Sequence, residues 1–421
     1  MEKDLYKSSR ILYIIEAMLE YFISLIVAGA YLAKLTSSIG LPDSLTAILS
    51  SFVSLGCGFQ LVSIFISKTK SVKRYVTILH TINQLFFALI YFVPFIKIPK
   101  TAKFVIFALL LLSGHAINQI VNSPKINWYM SLVDDNKRGS FTANKEIISL
   151  ISGVIFTTLM SSIIDHFEAI GNLNGAFIFC GIGVFGLAVL HSLTLIFSKE
   201  KPIEVAPKTN YFQSIKELLK DTTLFKVILV SIFWNIANYS ATPFYGTYLV
   251  KELGFTMLLV SILSAIGAFS RALFSRPFGK FADKHSFTNL ISVCFIIEFF
   301  AFTINVFTVP SNGKVFYAIY LILYSIGMAG INSSAINLIF DYVDKSKRTS
   351  ALALKSAMAG FAGFFTTLLV SSLVDKIQAN GNVFLGFSVY AQQIVSAIAS
   401  IITLIAIIYV NTVIKKIKSK A

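Results

Sequence analysis

The chain repeats itself about halfway along its length. The segment from Asn122 to Asn172 aligns with the segment from Asn332 to Asn382 at one constant spacing and without a gap. About twenty of roughly fifty aligned positions are identical, and fixed-period self-similarity of this kind indicates a duplicated unit. The charged positions coincide in the two copies, as Asp134 with Asp344, Lys137 with Lys347, Arg138 with Arg348, and Lys145 with Lys355. We therefore expect two similar halves.

The composition is that of a membrane protein. Hydrophobic residues make up 56% of the chain and charged residues 13%, whereas about a quarter of the residues in a soluble protein are charged. The net charge of +16 does not indicate nucleic-acid binding, because the lysines lie between apolar segments and form no continuous basic face. The three cysteines, Cys57, Cys180 and Cys294, stand singly in apolar segments, which predicts neither disulfides nor a metal site.

About twelve apolar segments approach the roughly 20 residues that a helix needs to cross a bilayer. The first extends from Ile11 to Leu35 and the second from Leu45 to Ile66. The segments are continuously apolar rather than alternating, so we expect helices and not a barrel. A duplication at half-length in such a chain indicates a two-domain transporter built from parallel repeats. The predicted domains are 1–197 and 224–421, joined by a linker at 198–223 that contains an amphipathic helix.

Basic residues predict the orientation in the membrane. With the N-terminus inside, the cytoplasmic connections collect most lysines and arginines, including those at 68–74, 199–226 and 415–420. By the positive-inside rule both termini are cytoplasmic, and the expected location is the cell membrane.

Two loop motifs show a resemblance to a known family. After the eighth span, RPFGKFADKHS contains Gly279 at a helix end, Asp283 and Lys284. The segments NKRGSF and SKRTSA resemble the loops of the same family between spans four and five and between spans ten and eleven. With twelve spans and a basic central loop, the chain resembles the major facilitator superfamily. The resemblance implies an all-α integral membrane fold of twelve transmembrane helices in two pseudo-symmetric six-helix domains, which works by alternating access.

The loop charges suggest a gate. An aspartate at the end of one span and an arginine at the start of another can form a pair in one conformation and break it in the other. We expect Asp283 to pair with Arg348, with Asp344 competing for the same cation. In the first half Asp134 and Arg138 remain, but the partner aspartate is missing, so the gate is expected to be asymmetric. The alternative is static helix capping.

Inserting a charged side chain into the centre of a membrane span costs at least ~2.5 kcal/mol, so ionisable residues at such positions indicate function. Glu16 and Glu20 lie four residues apart and thus on one face of the first span. Two such carboxylates resist ionising together, which suits the uptake and release of a proton. The alternative for Glu16 is that it snorkels to the interface. Arg271 and Glu298 lie within the eighth and ninth spans and could form an ion pair.

The first, fourth, seventh and tenth spans line the central cavity in proteins of the family that this chain resembles. Here those spans are rich in polar residues, and the predicted cavity residues are Asn118, Gln119, Asn122, Lys125, Asn235, Asn238, Tyr239, Tyr324 and Asn332. Pro243 in the seventh span frees a backbone carbonyl, a feature common near binding sites. Each asparagine alone could instead join two helices. Lys145 and Lys355 either approach this cavity or snorkel to water.

The sequence favours a transporter over an enzyme. No phosphate-cradling Gly-Lys-Ser/Thr loop is present, so ATP is not the expected energy source. The five histidines stand on separate elements without metal-ligand spacing. We predict a monomeric, proton-coupled secondary transporter of a small organic solute that needs no cofactor and no nucleic acid. The alternatives are a proton/drug-type exporter and, in a different class, a membrane sensor or scaffold that transports nothing.

Overall fold

The architecture is all-helical, as predicted. A computed structural model describes residues 5–66, 71–134, 137–201, 216–343 and 347–417. The α-helices are α1 (Lys7–Ile26), α2 (Gly29–Ser38), α3 (Asp43–Gly56), α4 (Gln60–Ile66), α5 (Val72–Leu89), α6 (Lys100–Met130), α7 (Arg138–Ala169), α8 (Leu173–Phe197), α9 (Thr222–Thr247), α10 (Met257–His285), α11 (Phe287–Val306), α12 (Gly313–Tyr342), α13 (Arg348–Ala379) and α14 (Ala391–Thr412). Strands β1 (Val383–Phe384) and β2 (Phe387–Ser388) form a small antiparallel hairpin before α14.

The helices confirm a multi-pass membrane protein. In the described ranges, eleven helical segments are long and apolar enough to cross a bilayer, and the pair α1 and α2 brings the number to twelve. That pair is bent by 45°, so the predicted first span is two helices. The bend follows from Gly29, whose φ of +53° lies in the left-handed region that favours glycine.

The internal repeat is visible in the helix boundaries. Helices α7 and α13 each have 32 residues, and Arg138 and Arg348, which open them, are equivalent positions of the repeat. Each follows another long helix, α6 or α12, across a short connection. The gap-free alignment of the two segments therefore corresponds to one pair of helices that occurs twice.

The helices pack into two compact units. Unit 1 comprises residues 1–41, 59–209 and 256–261, and unit 2 comprises 42–58, 210–255 and 262–421. Helix α3 thus belongs to unit 2. Residues 211–215, which begin the predicted amphipathic helix of the linker, lie outside the described residues, and the predicted domain boundaries stay a prediction.

Each unit has an aromatic core. In unit 1, Tyr13 stacks on Tyr129 with ring centroids 4.1 Å apart, and Trp128 continues the stack at 4.5 Å. In unit 2, Trp234 and Phe295 stack at 5.8 Å. Large apolar side chains on the outer helix faces stay exposed, as expected of surfaces in contact with lipid.

Helix α9 continues through Pro243 instead of breaking there, and ends in a π-helical turn at Tyr248–Glu252. The proline cannot donate to the carbonyl of Tyr239, four residues earlier. The hydroxyl of Thr367 on α13 donates to that carbonyl over 2.7 Å. The freed backbone group therefore joins two helices of unit 2.

Candidate functional site

A buried charge cluster lies among four helices of unit 1. Glu16 and Glu20 stand one turn apart on α1, and Lys125 approaches them from α6. Its Nζ donates to Glu16 Oε1 over 2.9 Å and to Glu20 Oε2 over 2.5 Å. The lysine side chain is 3% exposed and that of Glu16 is not exposed at all. A charge at this depth is stable only if it is paired, so the lysine and the two glutamates depend on one another.

Two histidines complete the cluster. His191 on α8 approaches Glu16 with its Nε2 3.0 Å from Oε1. His80 on α5 lies with Nδ1 3.7 Å from Glu16 Oε1 and Nε2 3.4 Å from Glu20 Oε1. The two imidazole rings meet edge to face at 4.5 Å. We refer to Glu16, Glu20, His80, Lys125 and His191 as the carboxylate cluster.

The partners of His80 depend on its protonation. Its Nε2 lies 3.2 Å from the side-chain amide nitrogen of Gln84 and 3.4 Å from Glu20. In a neutral imidazole, Nε2 either accepts a hydrogen bond from the amide of Gln84 or donates one to the carboxylate of Glu20, but it cannot do both. With the amide of Gln84 oriented as described, a protonated Nε2 can donate only to Glu20.

The cluster has unused capacity for protons. Glu16 Oε2, His80 Nδ1 and His191 Nδ1 are buried and have no hydrogen-bond partner among the described residues. Glu20 is the partly accessible member, with 22% of its side chain exposed. The cluster therefore combines buried atoms that lack a partner with one carboxylate that is partly accessible.

The same side chains resemble a metal site. Glu16, His80 and His191 each offer a ligand atom, and these atoms lie within 4.8 Å of one another. Zinc takes such nitrogen and oxygen ligands. Here the ammonium of Lys125 lies 2.9 Å from the same carboxylate and would repel a metal cation bound beside it, so the donor set does not favour a metal.

A cavity of about 260 Å³ lies in unit 2. Its walls come from the end of α3 and from α9, α11, α12 and α13. The polar wall residues are Cys57, Ser231, Asn235, Asn238, Tyr239, Asn332, Lys355 and Ser356, and the wall also includes Trp234. We call this the amide cavity. It contains four of the residues that the sequence predicted for the substrate: Asn235, Asn238, Tyr239 and Asn332.

Two amides of the cavity have groups that form no hydrogen bond with the residues that the structure describes. The hydroxyl of Tyr324, another predicted residue, donates to Asn238 Oδ1 over 2.9 Å, which leaves the N–H groups of Asn238 for another partner. Asn235 donates from Nδ2 to the Ser231 carbonyl over 2.9 Å, which leaves its side-chain oxygen. The cavity therefore offers donors at Asn238 and an acceptor at Asn235.

The predicted residues of the fourth span lie in unit 1, on α6. Asn118, Gln119 and Asn122 are half-buried, and Asn118 Oδ1 has no partner among the described residues. Lys125, predicted beside them, is part of the carboxylate cluster.

The repeat-related lysines have different surroundings. Lys145 Nζ lies 5.1 Å above the ring of Tyr13, a cation–π distance. Lys355 lines the amide cavity.

The predicted gate residues have local partners. Arg348 donates from Nη2 to the Phe340 carbonyl over 2.9 Å and from Nε to the Val343 carbonyl over 3.3 Å. Asp283 is exposed and forms no ion pair within the described ranges. Asp344 lies outside the described residues. This arrangement fits the capping alternative in the conformation described.

In the first half, Arg138 Nε donates to the Met130 carbonyl over 3.1 Å, and Lys137 pairs with Asp134 at 3.0 Å. The Asp134–Lys137 pair is solvent-exposed and contributes little to stability.

Glu298 on α11 is completely buried, and neither of its carboxyl oxygens has a partner in the described part of the chain. Arg271 is exposed on α10. The suggested ion pair between them is not present in this structure.

An ion pair that the sequence did not predict joins helices of unit 2. Asp43, at the start of α3, is 3% exposed, and Lys251 approaches its Oδ1 to 2.6 Å. Gln378 on α13 donates to Asp43 Oδ2 over 2.9 Å. The available signal in the sequence was an aspartate next to an apolar span. His80 and His191 carried a similar signal, but sequence spacing did not connect them.

Comparison with known proteins identifies the family. The profile of the Major Facilitator Superfamily matches residues 11–367, and a second match covers 227–420. This chain belongs to the Major Facilitator Superfamily. Its membership confirms the predicted fold class and a transporter rather than an enzyme.

Solved structures agree in fold with this superfamily member. A mutant of the nucleoside transporter NupG superposes with a TM-score of 0.75 at 15% identity, covering 96% of this chain and 99% of that one. The structure of a D-xylose-proton symporter superposes with a TM-score of 0.66 at 13% identity, covering 94% of this chain and 96% of that one.

A curated relative is more similar in sequence. The Staphylococcus haemolyticus protein named "Putative proline/betaine transporter" is 27% identical over 304 residues. The match covers 68% of this chain and 60% of that protein, so this chain spans less than two thirds of the relative's length.

Proposed function

We propose that this chain is a secondary active transporter that couples the movement of a small polar organic solute to protons by alternating access. The carboxylate cluster is the observation that supports this most. It buries two carboxylates, an ammonium and two imidazoles, and it reaches the surface only at Glu20.

The charge balance of the cluster suits the exchange of one proton. With Lys125 charged, both glutamates ionised and both histidines neutral, the cluster carries one net negative charge. One added proton makes it neutral, and a buried neutral cluster is less costly than a buried ion. A protein that loads and unloads this proton on opposite sides of the membrane can use a pH gradient.

The amide cavity is the proposed solute site. Its hydrogen-bonding groups lie on α9, α12 and α13 and at Cys57, which follows α3. Its volume lies just below the roughly 300–1,000 Å³ typical of ligand pockets. A small polar metabolite fits these properties better than a large apolar drug. The name of the curated relative makes proline and glycine betaine the first solutes to test.

The remaining predictions join this proposal. We propose a monomer in the cell membrane with both termini in the cytoplasm, and two domains, 1–197 and 224–421, joined by 198–223. The proposed gate pair is Asp283 with Arg348, with Asp344 competing for the arginine. Asp134 and Arg138 are the corresponding residues of the first half.

Reconstitution tests the proposal directly. In proteoliposomes, radiolabelled glycine betaine, L-proline and further small metabolites should accumulate under a pH gradient, and a protonophore should abolish the accumulation. Accumulation that follows sodium and ignores pH would refute proton coupling. Solute binding without any transport would favour the sensor alternative.

A further inference from the structure

Lys355 is a cation in the wall of the amide cavity. It lies on α13, and no carboxylate forms an ion pair with it among the residues that the structure describes. Lys125 and Lys251 each have an acidic partner within 3 Å, and Lys145, its repeat mate, has the ring of Tyr13. A half-buried ammonium that lacks these partners favours an anionic ligand.

We propose that Lys355 binds the carboxylate of the transported solute, and that the amide cavity therefore selects small carboxylates and zwitterions. This inference rests on the proposed function, since it takes the amide cavity as the solute site. A charge-assisted hydrogen bond from the ammonium supplies both affinity and orientation.

The other cavity groups fit a zwitterion. The free N–H groups of Asn238 can donate to a carboxylate, and the free side-chain oxygen of Asn235 can accept from an ammonium. Trp234 also lines the cavity, and an indole ring attracts a cationic nitrogen with or without N–H groups. The groups that prefer negative and positive charge are thus distinct side chains of one cavity.

The chain contains a natural reporter of this cavity. Cys57 lines it and is half-buried, whereas Cys180 and Cys294 are buried. Alkylation of Cys57 by N-ethylmaleimide in purified full-length protein should slow when a ligand occupies the cavity. This measurement needs no gradient and no knowledge of transport direction.

The experiment compares chemically matched ligands. Glycine betaine is paired with choline, L-proline with L-prolinol, and further amino acids and short carboxylic acids with the corresponding amides, which lack the carboxylate charge. We expect only the carboxylate members to protect Cys57. In Lys355→Met, at least about tenfold more carboxylate ligand should be needed for the same protection of Cys57, which is the equivalent of losing one charge-assisted hydrogen bond. Lys355→Arg should recover most of the protection. Lys376→Met, on an exposed position of the same helix, should behave as wild type.

Several results would overturn the proposal. Equal protection by the neutral or cationic members would do so, as would no protection by any carboxylate or unchanged protection in Lys355→Met. The melting temperature of Lys355→Met in detergent shows whether that variant is folded, and Lys355→Arg is the second variant if it is not. Protection is expressed for each variant relative to its own alkylation rate without ligand, because loss of the nearby ammonium can itself change the reactivity of Cys57. Carboxylate protection together with uptake that ignores pH would refute proton coupling and leave this inference intact.

Discussion

Arg138 and Arg348 occupy equivalent positions of the internal repeat and make the same contact, each donating to the backbone carbonyl eight residues earlier. The acceptors, Met130 and Phe340, are also equivalent. In each copy the arginine therefore fastens the start of one helix, α7 or α13, to the end of the helix before it. A contact that occurs in both halves points to a structural role for the two arginines in the conformation described here.

The gate hypothesis predicts that Asp283 matters in a different conformation. Asp283→Asn should shift the protein towards the state in which the Asp283–Arg348 pair is broken, and should slow turnover more than it weakens solute binding. The rate of Cys57 alkylation from the cytoplasmic side measures the shift. An unchanged rate and unchanged turnover would leave Arg348 with its capping role alone.

The ion pair of the buried Asp43 with Lys251 in unit 2 should contribute more to stability than an exposed pair. Asp43→Asn removes a carboxylate that is 3% exposed from a lysine that is 32% exposed, and should lower the free energy of unfolding by about 1–3 kcal/mol. Glu217→Gln removes the exposed pair with Lys347, at 2.7 Å, and should cost less than about 1 kcal/mol. Thermal unfolding of both variants in detergent compares the two costs. Equal costs would contradict the special role of the Asp43 pair.

Local patterns in the sequence predicted local structure well. The repeat predicted two equivalent helix pairs, and α7 and α13 begin and end at equivalent residues. The four-residue spacing of Glu16 and Glu20 predicted that they share one helix face, because that follows from helix geometry alone.

Long-range contacts were beyond the sequence. His80 and His191 meet at Glu16 only because α1, α5 and α8 pack together, and no spacing within one helix contains that information. The partners of Arg348 are backbone carbonyls, which exist at every residue and leave no charge pattern to detect. The two alternatives for Lys355 could be compared only once the walls of the amide cavity were known.

The topology predicts one-sided labelling. In a variant without Cys57, a cysteine at Ser71 should react with a membrane-impermeant maleimide only from the cytoplasm, and one at Asn172 only from outside, because basic residues concentrate on the cytoplasmic side. Both positions are exposed. Right-side-out and inside-out vesicles provide the measurement, and reversed labelling would refute the predicted orientation.

Glu298 should be replaceable by an apolar side chain. Its carboxyl is buried against Gly327 and neither oxygen has a partner in the described ranges, so the folded state bears the cost of desolvating it. Glu298→Met should raise the free energy of unfolding by about 1–3 kcal/mol, and Glu298→Gln, which stays polar, should change it little. A lower melting temperature for the methionine variant would show that the carboxyl has a partner or a function in another state.

The carboxylate cluster gives the sharpest test of proton coupling. Glu20 is its accessible member and contacts both Lys125 and His80. Glu20→Gln should abolish transport driven by a pH gradient and preserve solute exchange, because exchange need not release the proton. Uptake and counterflow in the same proteoliposomes separate the two activities.

Glu16→Gln distinguishes a proton carrier from a structural ion cluster. Glu16 is the more buried carboxylate, and its Oε1 is bound by both Lys125 and His191, so its loss should lower stability more than Glu20→Gln does. Its effect on gradient-driven transport should be the milder of the two, since Glu20 still exchanges the proton. Because the two acids share Lys125, they should titrate as a coupled pair in the wild type, and the pH profile of exchange should become simpler in either variant. Full gradient-driven transport in both variants would assign the proton to other residues.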